Sequence, residues 1–432
     1  MALPSLRRNA LIWIPINMTA ATWLISSATV LGVVSRPFGW PEAIWAGVGA
    51  VLLVALGSLG IQEAWGGVAK GFDVYLFLIG IMLLSETART EGLFDWLASI
   101  ATGHARGSPR RLFVLIYVVG ILVTVLLSND TTAVVLTPAV YAACRTARVK
   151  DPMPYLLICA FIANAASFVL PISNPANLVI FGGGTMPALS DWLSVFALPS
   201  LMAIVVTFVA LYATQRSALD TETVAVNVPT VSLSAGGKLA GVGLCATALM
   251  LVTASAFNFD LGLPTFLAGL FTAAVVLLST GKQVAQIARS VSWEVLPLVA
   301  GLFVVVAALD KTGLINHLAA TLAGLSSLGA TSVTMYAASA VALASNLANN
   351  LPVGLVAGSA VQAADVSPKI SAAILIGVDL GPNLSVTGSL ATILWLAALR
   401  REGLHMDAWA FVKIGVIVML PALVLAIACL SI

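Results

Sequence analysis

The chain has 432 residues, of which 60% are hydrophobic and only 9% charged, with a formal net charge of +2. That balance lies far outside the range of soluble domains and requires a polytopic membrane protein. It gives no reason to expect a nucleic-acid partner, and Cys144, Cys159, Cys245 and Cys429, scattered on apolar segments, imply no disulfide framework.

In chain order, the N-terminus (MALPSLRRNALIWIPIN) lacks a small-residue cleavage site after a short apolar core and reads as a retained first span. Apolar runs near 10–34, 42–61, 72–90, 153–182 and 190–213 are long enough to cross a bilayer. The second half offers 239–258, 264–279, 293–309, 369–399 and 408–430. Residues 113–145 and 332–363 are apolar but carry Asn129-Asp130 and Asn349-Asn350 with Pro352 at their midpoints, so each reads as a re-entrant hairpin. Residues 92–103 and 313–325 are too short and amphipathic to span and are placed in the interface. The polar stretch 215–238 reads as a linker, dividing an N-terminal repeat (1–214) from a C-terminal repeat (239–432).

The halves resemble each other. Residues 73–94 lie over 294–315, matching Asp73 to Glu294, Gly80 to Gly301, Gly92 to Gly313 and Leu93 to Leu314. The tip at Asn129-Asp130 answers Asn349-Asn350, and Ser173-Asn174-Pro-Ala-Asn177 answers Gly388-Ser389-Leu-Ala-Thr392. Five crossings per half force the copies into opposite orientations, an inverted repeat with one hairpin and one broken helix in each. With the loops holding Arg106, Arg110, Arg111, Arg145, Arg148 and Lys150 cytoplasmic, about fifteen of the twenty Lys and Arg fall inside, as the positive-inside rule expects. Arg7, Arg8, Lys70, Lys311 and Lys369 are the exceptions, and both termini and the linker then have assigned sides: termini outside, linker cytoplasmic. The fold class expected is an all-α polytopic membrane protein with about ten transmembrane helices.

Helix interrupted at membrane depth leaves backbone groups unsatisfied unless protein or a wet cavity covers them, so paired breaks in the two halves point to a transport site. Two acids lie at that depth, Asp130 in LLSNDTTAVV and Asp379 in ILIGVDLGPNLSVTGSLAT. A carboxyl withdrawn from water favours its neutral form, which makes both candidates to carry a proton. The plainer reading is that either caps a half-helix and stays ionised. Around them lie uncharged donors and acceptors: Asn129, Thr131, Ser173, Asn174, Asn177, Asn349, Asn350, Thr387, Ser389 and Thr392 as solute ligands. Asn164, Asn383 and Ser385 join them as groups that equally well only satisfy broken backbone.

Such a set suits a small polyhydroxy solute or a weakly held cation; no His or Cys at membrane depth has metal-ligand spacing, and no cofactor is expected. Asp73, Glu86, Glu294 and Asp310 fall near span ends and read as solvated or ion-paired, and His104, His317 and His405 as bystanders. Trp13, Trp40, Trp192, Trp293 and Trp409 read as interfacial anchors. Gly182-Gly183-Gly184 lacks the Lys and strand context of a phosphate loop.

Asn129-Asp130 with Val135-Leu136-Thr137-Pro138, Ser173-Asn174 with Asn177, Asn349-Asn350-x-Pro352 and Asp379-Leu380-Gly381-Pro382 running into Thr387-Gly388-Ser389-Leu390-Ala391-Thr392 form a pattern over nearly the whole chain. It resembles the ArsB arsenical pump membrane proteins of the ion transporter superfamily. Pro175 departs from the aliphatic residue that family leads one to expect. The resemblance implies efflux of arsenite and antimonite across the inner membrane, driven by protons or with an ArsA-type ATPase subunit. A sodium/proton antiporter or an anion carrier of the same superfamily is the alternative. From another class, two membrane-depth acids suggest an intramembrane aspartyl protease, although the usual Gly-x-Gly-Asp context is missing at Ile376-Gly377-Val378-Asp379.

Overall fold

The computed structural model describes residues 18–181, 186–226, 228–229, 231–257, 259–281, 284–325 and 330–431. Arg7, Arg8, Trp13, Gly182, Gly183, Gly184, Lys282 and the start of the first expected span lie outside the described residues. Among those described, every regular element is helical.

The first repeat runs α1 (Met18–Ser35), α2 (Glu42–Ala55), α3 (Ile61–Lys70), α4 (Phe72–Thr90), α5 (Leu93–Ala105), α6 (Pro109–Leu126), α7 (Asn129–Thr131), α8 (Thr137–Thr146), α9 (Met153–Ala165), α10 (Pro175–Phe181) and α11 (Leu189–Thr221). The second runs α12 (Ala235–Ala256), α13 (Gly262–Thr280), α14 (Val284–Ser290), α15 (Val295–Lys311), α16 (Leu314–Leu325), α17 (Ala330–Ala348), α18 (Asn350–Ala364), α19 (Pro368–Leu380), α20 (Leu390–Arg401) and α21 (Ala408–Cys429). The two series correspond in order, with α7 and α8 together answering α18. α6 with α7 and α8 forms one hairpin, α17 with α18 the other; α9 with α10 and α19 with α20 are the broken spans. Each hairpin is a few residues longer than the apolar run suggests.

Six described helices are long and apolar enough to cross a bilayer, eight if the bent pairs α3–α4 (48°) and α15–α16 (73°) each count as one. One of these, α6, is a hairpin limb. The remaining expected crossings are α2, 14 residues long, and the two broken spans, whose halves of 13 and 7 and of 13 and 12 residues are each too short alone. The amphipathic α3 was not expected, because two glycines in IQEAWGGVAK weaken its helical signal. It starts where Glu63 Oε2 accepts from the Gly60 N–H at 2.7 Å.

The paired glycines explain themselves. Gly92 (φ +75°) and Gly313 (φ +86°) both turn the chain through the left-handed region, ending α4 and α15. Gly80 and Gly301 sit where helices cross too closely for a side chain. A Cβ on Gly80 would lie 2.3 Å from the Thr265 carbonyl oxygen, and one on Gly301 2.7 Å from the Ala46 carbonyl carbon. These crossings are exchanged between repeats, since α13 packs on α4 and α2 packs on α15. α5 lies against α6 and α8, and α16 against α18, so the short helices brace the hairpins.

α11 has 33 residues, about 50 Å of helix, and continues into the polar stretch as far as Thr221. There Arg110 Nη2 donates to Asp220 Oδ1 at 2.6 Å, tying it to the start of the first hairpin. The non-helical connector that follows is anchored by Glu222, which accepts from the N–H groups of Lys150 (3.1 Å) and Asp151 (2.8 Å).

Candidate functional site

The first break arises because Pro171 and Pro175 lack the N–H that would continue a helical ladder. α9 stops at Ala165, a 3-10 turn spans Pro171–Ser173, and α10 begins afresh. The freed carbonyls are collected by side chains, as an apolar surrounding demands. Asn177 Nδ2 donates to Ser167 O (2.9 Å) and, more weakly, to Leu170 O and Pro171 O (both 3.4 Å). Trp192 Nε1 donates to Phe168 O at 3.2 Å. Trp192 is fully buried, so its expected role as an interfacial anchor is wrong: it braces the break, whereas Trp40, Trp293 and Trp409 are exposed.

In the second break the turn is Gly381–Leu384, with Pro382, and Ser389 caps α20 by accepting from the Thr392 N–H at 3.1 Å. Asn346, at the end of α17, does most of the joining. Its Nδ2 donates to Gly381 O (2.8 Å), its Oδ1 accepts from Ser385 Oγ (2.7 Å), and its carbonyl accepts from Thr387 Oγ1 (3.0 Å). The Asn350 N–H donates to Gly388 O at 2.9 Å. Sequence reasoning passed over Asn346, whose only visible signal was an amide one turn before a hairpin tip.

The two breaks meet. Asn164 Nδ2 donates to Asn383 Oδ1 at 3.0 Å, and Asn383 Nδ2 donates back to Phe161 O at 3.1 Å. Asn164 Nδ2 also lies 3.5 Å from Thr392 Oγ1, which is 2.9 Å from Ser389 Oγ. Asp379, on α19 and 0% exposed, accepts from Asn174 Nδ2 at 2.7 Å and lies 2.6 Å from Ser167 Oγ, both in the first repeat's break. Asp379, Asn174, Asn177, Ser389 and Thr392 therefore belong to one buried junction with Asn164, Ser167 and Asn383. Ser167 was not singled out from the sequence, where nothing marks it apart from other serines.

The hairpin tips form separate clusters. At the first, Ser128 is the helix cap, accepting from the Thr131 N–H, and Thr131 Oγ1 lies 2.8 Å from Ser85 Oγ of α4. Asn129 Oδ1 accepts from the Asp130 N–H at 2.9 Å. The Asp130 side chain is half-buried and makes no hydrogen bond among the described residues, so it is not the cap that its position suggested. α7 packs against α9 and α20, which carry junction residues. Ser173 Oγ reaches Val125 O of α6 at 3.0 Å, linking the first tip to its break. At the second tip Asn349 Oδ1 accepts from the Leu351 N–H at 3.3 Å, and Thr387 and Asn350 bind the second break as described.

Two features set the chemistry. The oxygens Asn164 Oδ1 and Asn177 Oδ1 are buried and have no hydrogen-bond partner among the described residues, and their amide orientations are fixed by the donor sides just described. No Lys, Arg or His is bonded to the junction among the described residues; Glu86 is taken up by Arg89, and Asp73 caps α13 through the Gly262 N–H at 2.8 Å. Among the described residues no cluster of three His, Cys, Asp or Glu forms a metal site. Cys159 is fully buried, and the four thiols are free. A cavity of about 990 Å³ lies elsewhere, between α1, α15 and α16 on one side and the second hairpin on the other. Its walls are mostly apolar, with Ser26, Ser27 and Thr321 among them, and touch the polar clusters only at Ala348 and Pro352.

Crossed broken helices, paired hairpins and exchanged scaffold helices define a membrane transporter built from two inverted repeats. The chain belongs to the citrate transporter (CitMHS) family, whose profile matches residues 29–380. It is 28% identical over 424 residues to the arsenical pump membrane protein of Escherichia coli K12, covering 93% of this chain and 96% of that one. It is 26% identical over 368 residues to an uncharacterized transporter of Mycobacterium bovis, covering 82% and 84%. The crystal structure of the Alcanivorax borkumensis YdaH transporter has a similar fold, with a TM-score of 0.59 at 15% identity over 85% of this chain and 86% of that one.

Proposed function

We propose that this transporter exports trivalent arsenic as arsenite, and antimony as antimonite, across the inner membrane in exchange for protons. The observation that carries the reading is the pair of unpartnered acceptors, Asn164 Oδ1 and Asn177 Oδ1, in a junction without a cation. An unpaired buried acceptor costs about 1–3 kcal/mol, and a solute that brings hydroxyl hydrogens offsets that. Arsenite near neutral pH is mostly an uncharged pyramidal trihydroxide with three such donors and no need of a countercharge. The similarity to arsenical pump membrane proteins over nearly the full chain supports the same solute. Citrate, for which the family is described, is multiply charged, and the junction offers it no partner of opposite sign.

In this reading Asn129, Thr131, Ser173, Asn174, Asn177, Asn349, Asn350, Thr387, Ser389 and Thr392 contact the solute or hold the backbone that does. A neutral cargo gains nothing directly from the membrane potential, so coupling needs a titrating group, and Asp130 and Asp379 are the available carriers. Hairpins and broken helices move together against the scaffold of α1–α4 and α12–α15, with termini outside and residues 215–238 cytoplasmic.

Growth of an efflux-deficient host on arsenite, with and without the gene and beside sodium, lithium and citrate challenges, tests the substrate. Arsenite uptake into everted vesicles with an imposed pH gradient tests the energy source. Protection against sodium alone overturns the reading. Uptake that requires an added ArsA-type ATPase replaces proton antiport with a pump.

A further inference from the structure

Ser167 Oγ lies 2.7 Å from Asn164 O and 2.6 Å from Asp379 Oδ2. A serine hydroxyl has one hydrogen, and a carbonyl oxygen has none to give. Any bond to Asn164 O therefore uses the Ser167 hydrogen. Ser167 Oγ can donate to either oxygen or share its hydrogen between them, and a hydrogen on Asp379 Oδ2 is the arrangement that satisfies both short contacts without sharing, while Oδ1 accepts from Asn174 Nδ2 at 2.7 Å. With a neutral Asp379 the run Oδ2–H to Ser167 Oγ–H to Asn164 O is satisfied throughout; with a carboxylate, one hydrogen faces two acceptors.

We propose that Asp379 holds its proton in this conformation and, through Ser167 as a positioning residue, latches α19 of one repeat to the broken helix of the other. The proposal rests on the proton-coupled reading above for its transport consequence and adds the residue that senses the proton. When Asp379 releases its proton to water, the Ser167 hydrogen turns to Oδ2 and leaves Asn164 O, so one of the two short contacts opens. The latch exists in one direction only. In the register that matches Asn174 to Ser389 and α9 to α19, Asp379 answers Asn164 and Ser167 answers Pro382, so the pair has no counterpart in the other copy.

α19 packs against α9, α10, α11, α17, α18 and α21. The titratable side chains on those elements are Tyr155 and Cys159, Asp191, Tyr212, Arg216 and Asp220, Tyr336, and Lys413 and Cys429. None of them is hydrogen-bonded or ion-paired to Asp379, whose partners among the described residues are Ser167 and Asn174. The proton on this carboxyl is thus reported to the rest of the protein through the first repeat's break.

The test uses full-length protein in lipid nanodiscs. Infrared difference spectra of wild type minus D379N at neutral pH should contain a protonated carboxylic acid C=O band, and S167A should keep that band at higher frequency because it has lost a partner. A carboxylate band for Asp379 at neutral pH, or an S167A band at the wild-type position, overturns the latch. Should D379N fail to fold, the comparison of wild type with S167A reads the same band. In everted vesicles S167A should displace the pH profile of proton-driven arsenite uptake and S167T should restore it. Identical profiles for wild type and S167A leave Ser167 as a helix-end cap and overturn the proposal. The infrared arm needs no solute, so a protein with the band but no arsenite uptake loses the arsenite reading and keeps the latch.

Discussion

The two hairpin tips occupy equivalent places and are secured in different ways. The first is held outward as well as to its own break: Thr131 reaches Ser85 on scaffold helix α4, Ser173 reaches Val125 O, and Ser128, in ordinary extended geometry, caps the return limb. The second is held inward: Asn346 and Asn350 bind the break of their own repeat, and Asn349 takes φ +68° and ψ 148° to allow it. Where Ser85 meets the first tip, the matching position in α15 is Val306, a wall of the apolar cavity. One tip is thus fastened to the scaffold, and the other faces a gap of about 990 Å³.

The largest expected effect comes from making the tips chemically alike. D130N turns the first tip into a copy of the second, which has Asn350 there, and should lower pH-gradient-driven arsenite uptake by about 5- to 150-fold, the range of coupling free energies of ~1–3 kcal/mol. Unchanged accumulation in everted vesicles would show that the tips differ for another reason. Next come the crossings that hold the scaffold. G80L and G301L should each lose about 1–3 kcal/mol through overpacking, read as a fall in Tm in detergent, and by similar amounts if the exchanged packing is symmetric. N346A should cost about 1–3 kcal/mol because it strands Gly381 O, whereas S85A, which leaves Thr131 its second partner Ser128, should cost about 0.5–1.5 kcal/mol. Equal losses in hydrogen exchange at the two tips would contradict inward fastening of the second. Smallest is N349G, expected to stabilise by about 1 kcal/mol by relieving the left-handed backbone; N129G, where nothing is strained, should give no gain.

Much of this architecture was legible because it depends on patterns that survive without coordinates. Gly80 pairs with Gly301, and Gly92 with Gly313, in the sequence itself, and each pair serves one purpose, close crossing and reversal of the chain respectively. Hairpins and breaks were visible because Pro and Asn at membrane depth have few other reasons to be there. What escaped depended on long-range geometry. Ser167 matters only because α19 brings Asp379 beside it, a partner 212 residues away. Trp192 carries the composition signal of an interfacial anchor, yet folding turns it inward to the Phe168 carbonyl. Asn177 was expected to meet the solute, and its nitrogen instead satisfies three backbone carbonyls, leaving only its oxygen for that task.

The exchange of α2 and α13 between repeats has a consequence for biogenesis. Asp73 and Gly262, which join α4 to α13, are 189 residues apart in the chain. During synthesis the small-residue face of α4 therefore enters the bilayer long before its partner exists, and lipid must line it in the meantime. A ribosome stalled within the connector would leave a half-protein with that seam bare, a natural substrate for membrane quality control. Conversely, the two halves made as separate polypeptides have in each seam the means to find one another.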